Sequence, residues 1–359
     1  MTGWQQTLAT LATACAVIAG ALAWPAANPW LVLFAVAAAL SLARHRLPFS
    51  YWFDGLLAGI GAVAALEAIP EAGLPLWLCL GSAWLYSWVF VDRMARDLAA
   101  GHAIPGANLV VPLVFGVTLL VIWEVVVRGL GIPEVLLPAP SQVMVKILTS
   151  TDILWADFQQ TFLKAVLSGF ALGCGAGFVV AILVDRSPFL KRGLLPIGNF
   201  VSALPIIGIA PIMVMWFGFD WQSKTAVIVC ITFFPMLVNT VAGLGAASEM
   251  ERDLMRTYAA SYWQTLFKLR LPAAGPFIFN ALKINSTLAL IGAIVAEFFG
   301  TPIVGMGFRI ATEVGRLNAD MVWAEVAVAA VAGSASYGAI VLVEKAVTFW
   351  HPSVRGGRV

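Results

Sequence analysis

About ten stretches of mainly apolar residues follow one another along this 359-residue chain, and that succession constrains the fold more than any motif does. The runs lie at 7–24, 29–43, 52–69, 74–91, 109–130, 160–184, 194–217, 224–247, 276–298 and 323–347, the second being the shortest. A helix that spans a bilayer needs roughly 20 mainly apolar residues. In lipid every backbone N–H and C=O must be satisfied within the segment, so each run is expected to be a helix. No run alternates with a period of two, and glycines and prolines interrupt several, which argues against barrel strands. The expectation is an all-α polytopic membrane protein.

Composition agrees, because 61% of the residues are hydrophobic and 11% charged. Soluble domains carry about a quarter charged residues, so this chain lacks the charge to solvate a globular surface. A net charge of +2 says nothing about nucleic acid, and no Lys/Arg run suggests a phosphate-binding face. Cys15, Cys79, Cys174 and Cys230 sit inside apolar stretches without metal-ligand spacing and read as small hydrophobes. The first run has no Lys or Arg before Arg44, so it reads as a retained helix and not a cleaved leader.

Basic residues in short loops set orientation. With the N-terminus inside, the cytoplasmic side carries Arg44, Arg46, Arg93, Arg96, Arg186, Lys191, Arg192, Arg252, Arg256, Lys268 and Arg270, with Arg355 and Arg358 in the tail. The other side carries Arg128, Lys146, Lys164, Lys224, Arg309 and Arg316. Both termini are therefore expected in the cytoplasm. A polar stretch between Val91 and Val110 divides four N-terminal helices from six that follow, placing a boundary near residue 105 between a 1–105 extension and a 106–359 domain.

One cytoplasmic loop, 248–277, is long and charged and has helical character. Leu254, Met255, Tyr258, Tyr262, Leu266, Leu269 and Leu271 recur at helical spacing before Pro272, which stops or restarts the helix. Pattern alone leaves two readings: a helix resting on lipid headgroups, or a helix pair that docks on a partner.

The loop resembles the cytoplasmic loop of binding-protein-dependent ABC importer permeases, in the nitrate, sulfonate and taurine branch. Asp253 holds that motif's acidic position, Ala259 its glycine, Leu269 its aliphatic residue, and Leu271-Pro272 its close. Leu254 and Met255 replace small residues, while Arg256, Ala260, Ser261 and Gln264 fit the branch. Leu136-Leu137-Pro138-Ala139-Pro140-Ser141, Pro205, Ala210-Pro211, Trp216-Phe217-Gly218, Phe233-Phe234-Pro235, Asn239-Thr240 and Gly243 follow in family order, so the likeness covers roughly 108–351. It implies a six-helix permease core whose residues 248–272 form a coupling element docked on an ATPase subunit. It further implies a homodimer in the bacterial inner membrane, two ATPase copies, an extracytoplasmic binding protein, and ATP and Mg bound by the partner with no cofactor on this chain. Residues 1–105 lie outside the resemblance.

Within the membrane, Gly169, Gly173 and Gly177 share one helix face at the spacing that lets two backbones approach, and Gly55 and Gly59 repeat it. Pro205 and Pro211 interrupt the seventh run, marking either a pathway or a packing kink; Trp216, Phe234, Pro235 and Asn239 join them as pathway candidates. Glu124, Lys283 and Glu297 are the intramembrane polar candidates. Lys283 is expected to snorkel, and Glu297 to meet a binding protein or a neighbouring helix. No Gly-Lys dipeptide exists, so no phosphate-cradling loop is present. The histidines, His45, His102 and His351, fall outside the apolar runs. An ion-gradient transporter using Glu124, Lys283 and Glu297 is the competing reading, and an intramembrane enzyme a third. Neither accounts for the loop. The substrate is expected to be a nitrate-, sulfonate- or taurine-like solute, or a vitamin precursor such as a thiamine pyrimidine or riboflavin.

Overall fold

A computed structural model of the chain describes residues 3–22, 29–41, 50–71, 73–100, 107–202, 205–300 and 303–350. Arg44, Arg46, Arg355, Arg358, the three histidines and the expected boundary near 105 lie outside the described residues. Among those described there are helices and turns and no strand. The chain forms two compact units, residues 1–145 and 146–359.

The first unit holds α1 (Gly3–Leu22), α2 (Pro29–Leu40), α3 (Tyr51–Glu67), α4 (Leu74–Ala99) and α5 (Ala107–Gly129). Helix α5 packs on α3 and α4, so this unit extends past the four N-terminal runs. Its core of Phe34, Leu57, Leu76 and Tyr86 encloses a hydroxyl cluster in which Thr13 lies 2.9 Å from Ser41 and 2.7 Å from Tyr86. Paired hydroxyls of this kind satisfy polar groups where no water reaches. Gly55 faces the Phe90 ring, whereas Gly59 faces open space.

Helix α6 (Pro140–Thr149) leads into the second unit, which contains α7 (Thr151–Arg186), α8 (Pro188–Ser202), α9 (Ile206–Phe217), α10 (Trp221–Leu244), α11 (Glu249–Thr257), α12 (Tyr262–Glu297), α13 (Met306–Gly315) and α14 (Ala319–Val347). Helix α10 is central, packed between α7 and α12. Gly169, Gly173 and Gly177 of α7 all face α10: a Cβ on Gly177 would stand 2.5 Å from the Phe233 carbonyl oxygen, and one on Gly173 would stand 3.1 Å from the Val229 Cα. Small side chains here are a condition of the helix pair, because in lipid close packing replaces the hydrophobic drive.

Seven helices among the described residues are long and apolar enough to cross a membrane: α1, α4, α5, α7, α10, α12 and α14. This is fewer than the ten runs, for physical reasons. Helices α2 and α3 have 12 and 17 residues. The run at 194–217 is two helices, broken at Pro205, one of the two prolines expected to interrupt it, which caps α9 in extended conformation. Helix α7 begins at Thr151, nine residues before its apolar run, because Asp157, buried on polar partners, lowers the hydropathy of its first turns. Pro272 restarts the α-helix, in its first turn. A wide π-turn over Leu266–Arg270 precedes it inside continuous α12, making room for the ring where an α-turn would clash.

Substituting Gly177→Ala should push α7 from α10 and cost about 1–3 kcal/mol. The neighbouring Gly175→Ala, which meets open space, should be neutral or stabilising on propensity alone. Melting of the purified variants followed by size-exclusion fluorescence checks the contrast; equal melting temperatures would refute the close-approach argument.

Candidate functional site

Two constellations stand at opposite ends of the second unit. The first is the elbow between α10 and α12. Ser248 and Glu251 form a reciprocal capping box at the start of α11, and Ser261 and Gln264 form another at the start of α12. The backbone hydrogen bond from Ser248 holds the Glu251 carboxyl below the usual carboxylate range. Between the helices, Ala260 N–H donates to the Met255 carbonyl (3.0 Å) and Ala259 N–H to that of Arg256 (2.9 Å). These two bonds close α11 with a left-handed cap whose turning residue is Ala259, at φ 51°. This is the position where the resembled motif has glycine. A Cβ in that conformation costs roughly 1–2 kcal/mol.

None of α11 is buried: Met250, Leu254 and Tyr258 are 83%, 57% and 77% exposed, and Asp253 pairs with Arg256 at the surface. Leu266 is instead fully buried against Leu244 and Ala274, with Leu271 at its side. Leu269 and Pro272 are half-buried. Arg270 ties the elbow down. Its guanidinium donates to both Asp185 oxygens at 2.7 Å and to the Leu244 carbonyl at 3.0 Å, so α12 is fastened to the ends of α7 and α10.

The second constellation holds the start of α13. Gly305 N–H donates to Asp157 (2.6 Å), Met306 N–H to the Thr161 hydroxyl (2.8 Å) and Gly307 N–H to Glu297 (2.7 Å). Thr161 donates in turn to Glu297 at 2.8 Å, and Arg309 Nε to Asp157 at 2.8 Å. Asp157, Thr161 and Glu297 are buried, from α7 and α12. Three helix-start amides and the positive end of the helix dipole therefore meet two carboxyls and a hydroxyl. Gly305, at φ 143°, allows the approach, since a Cβ there would stand 2.8 Å from the Glu297 carboxylate. Nearby, buried Lys224 donates to the Phe219 and Gly300 carbonyls and joins two loops. Asp220 caps α10 and accepts from Gln160 at 2.7 Å, which holds its carboxyl below the usual range.

Of the intramembrane candidates, Glu297 thus belongs to the α13 clamp. Lys283 pairs with Glu344 of α14 at 2.9 Å. Glu124 pairs with Arg128 at 2.6 Å and accepts from the Ser141 amide at 2.8 Å, anchoring the start of α6. The pathway candidates do not converge on one site. Pro205 and Pro211 lie on α9, whose end carries Trp216, 70% exposed. Phe234 packs against Leu194 and Leu195, and Asn239 donates back to the Pro235 carbonyl at 2.8 Å. Sequence reasoning missed Asp157, Thr161, Lys224 and Arg309. The available signal was polar residues at i, i+4 (Asp157 and Thr161) beside an apolar run, with Gly-x-Gly ahead of a short helix.

Comparison with known proteins gives the context. Residues 169–349 match the family described as binding-protein-dependent transport system inner membrane component. A probable ABC transporter permease protein of Haemophilus influenzae is 34% identical over 60% of this chain and 88% of its own length. The formylaminopyrimidine transport permease protein ThiX of Halalkalibacterium halodurans is 30% identical over 67% of this chain and 95% of its own. The putative aliphatic sulfonates transport permease protein SsuC of Bacillus subtilis is 29% identical over 68% and 88%.

Two substitutions probe the elbow. Ala259→Gly should relieve the left-handed strain and stabilise the protein by about 1 kcal/mol, read as a raised melting temperature. Arg270→Ala should cost about 3 kcal/mol by leaving Asp185 buried and unpaired, and Arg270→Lys should not restore it, because an ammonium cannot make the fork.

Proposed function

We propose a mechanism for this chain, which belongs to the family of binding-protein-dependent transport system inner membrane components and is the permease subunit of an ABC importer. As a multi-pass inner-membrane protein of that family it works with an ATPase and a substrate-binding protein. Our reading is that two copies of the chain pair around the pathway, each with one ATPase subunit at the elbow. ATP and Mg are held by those subunits, and both termini lie in the cytoplasm, in keeping with the basic residues at the elbow end.

The observation that carries the coupling role is α11. It is a short helix fixed at both ends by hydrogen bonds, yet it buries none of its own residues and presents Met250, Leu254 and Tyr258 outward. An amphipathic helix with a rigid mounting and an uncovered apolar face suits a groove on a partner. The Arg270–Asp185 fork makes the mounting stiff, so a displacement of α11 moves α7, α10 and α12 together. For the substrate we propose a small polar solute handed over by the binding protein. Relatives named for formylaminopyrimidine and aliphatic sulfonates support a vitamin-precursor or sulfonate-like compound, with nitrate, taurine and riboflavin in the same range.

Affinity purification of the tagged chain from its native membrane, with mass spectrometry of what accompanies it, tests the reading. The native chain should bring an ATPase in stoichiometric amount, and Leu254→Arg with Tyr258→Arg, both at exposed positions, should lose it while folding normally. A folded native chain without an ATPase, or a double variant that keeps it, would sink the coupling assignment.

A further inference from the structure

Helix α7 ends at Arg186 and α8 begins at Pro188, beside the elbow. The junction lies between the apolar runs 160–184 and 194–217, so in a membrane-spanning chain it stands at a bilayer surface. From here α8 is two-sided. Leu194 and Leu195 pack with Phe234 against a cluster that includes Val184 and Leu237. The opposite face is uncovered. Phe189, Gly193 and Ile197 recur every four residues, with Arg192 beside Phe189 at i+3, and all four are exposed, Phe189 by 83%. A Cβ added to Gly193 would meet nothing within 4 Å.

Single exposed apolar residues are ordinary, but Phe189 stands among cations that lack counter-ions. Lys191 and Arg192 are exposed and make no ion pair, and the first turn of α8 has no acidic side chain. Arg186 lies 5.4 Å over the Tyr262 ring, while its neighbour Asp185 is taken by both arms of the Arg270 guanidinium. Protein interfaces deplete charged residues at their centres. An aromatic ring flanked by Lys and Arg at the edge of an apolar run is instead the pattern of a lipid–water boundary.

We propose that the start of α8 binds anionic phospholipid. Ile197 faces the acyl chains and Phe189 rests at their boundary. Arg192 and Lys191 reach up to headgroup phosphate, with Arg186 behind them. Arg192 offers the phosphate a planar fork and Lys191 a point charge. A lipid held here covers the part of α8 that packs on nothing else in its unit. The inference rests on the bilayer setting and not on what docks at the elbow.

The test uses the full chain with phosphatidylglycerol or phosphatidylcholine of the same acyl chains, by native mass spectrometry in detergent and by hydrogen exchange in nanodiscs. The native chain should bind phosphatidylglycerol more tightly. Lys191→Gln with Arg192→Gln should weaken its tightest phosphatidylglycerol site roughly thirtyfold, about fivefold for each cation removed. Lys191→Arg with Arg192→Lys, which keeps the charge, should retain the preference. Amide exchange over 188–193 should be slower in phosphatidylglycerol than in phosphatidylcholine, and the difference should vanish in the glutamine variant. Equal binding of the two lipids by the native chain, or a glutamine variant with native affinity, would overturn the proposal. Exchange slowed equally in both lipids would assign this face to a second copy of the chain and overturn it too.

Discussion

A backbone amide or carbonyl that leaves its helix inside a membrane protein has no water to turn to, and the second unit is organised around that constraint. Several of the places where its helices start or stop are sealed by a polar side chain sent from a different helix. Asp157, Thr161 and Glu297 take three amides at the start of α13. Lys224 takes the carbonyls of Phe219 and Gly300, and Arg270 takes that of Leu244. Because donor and acceptor come from separate elements, sealing the backbone also fixes the helices relative to one another. The glycine face of α7 sets how closely α7 approaches α10, and the polar seals set where along their lengths they stop sliding.

This division explains what could be read from the residues alone. Helices that owe their existence to contact with lipid announce themselves through hydropathy, and α4, α5, α10 and α14 lie where the apolar runs are. Residues that owe their place to a partner in the interior do not. The first turns of α7 carry buried Asp157 together with exposed Asp152 and Gln159, so a rule tuned to lipid starts the helix nine residues late. Pro272, which lacks one N–H, could be read as a stop or a restart; the π-turn just ahead of it and the α-helix that begins at Leu271 make it a restart. The Ala259 position was legible by its register in the motif, whereas the reason it matters, a φ of 51°, belongs to the cap and not to the residue. The buried clamp gave only faint signals, since a lone Asp or Thr beside an apolar run is ordinarily a helix end.

The elbow shows how little packing a mechanical part needs when its hydrogen bonds are well placed. Helix α11 has nine residues and buries none, so its direction relative to α12 rests on two capping boxes and the left-handed cap between them. Such caps are worth about 1 kcal/mol each, comparable with the strain of holding a Cβ at φ 51°. The joint is therefore stiff in direction yet modest in total stability.

Helix α12 joins the two constellations. It runs without interruption from Tyr262, at the elbow, to Glu297, in the clamp. At the rise of an α-helix its 36 residues cover about 50 Å. Its first turns are held by the Arg270 fork and its last residue is held by the Thr161 hydroxyl and the Gly307 amide. A helix is stiff along its axis, so a tilt imposed at one fixed end must be answered at the other. The Glu297 carboxyl reaches both α7 and α13, so the far end of α12 is held by two other elements. A carboxyl at the far end of this helix, anchoring amides that no solvent reaches, has a structural reason for being there that does not depend on touching a transported solute.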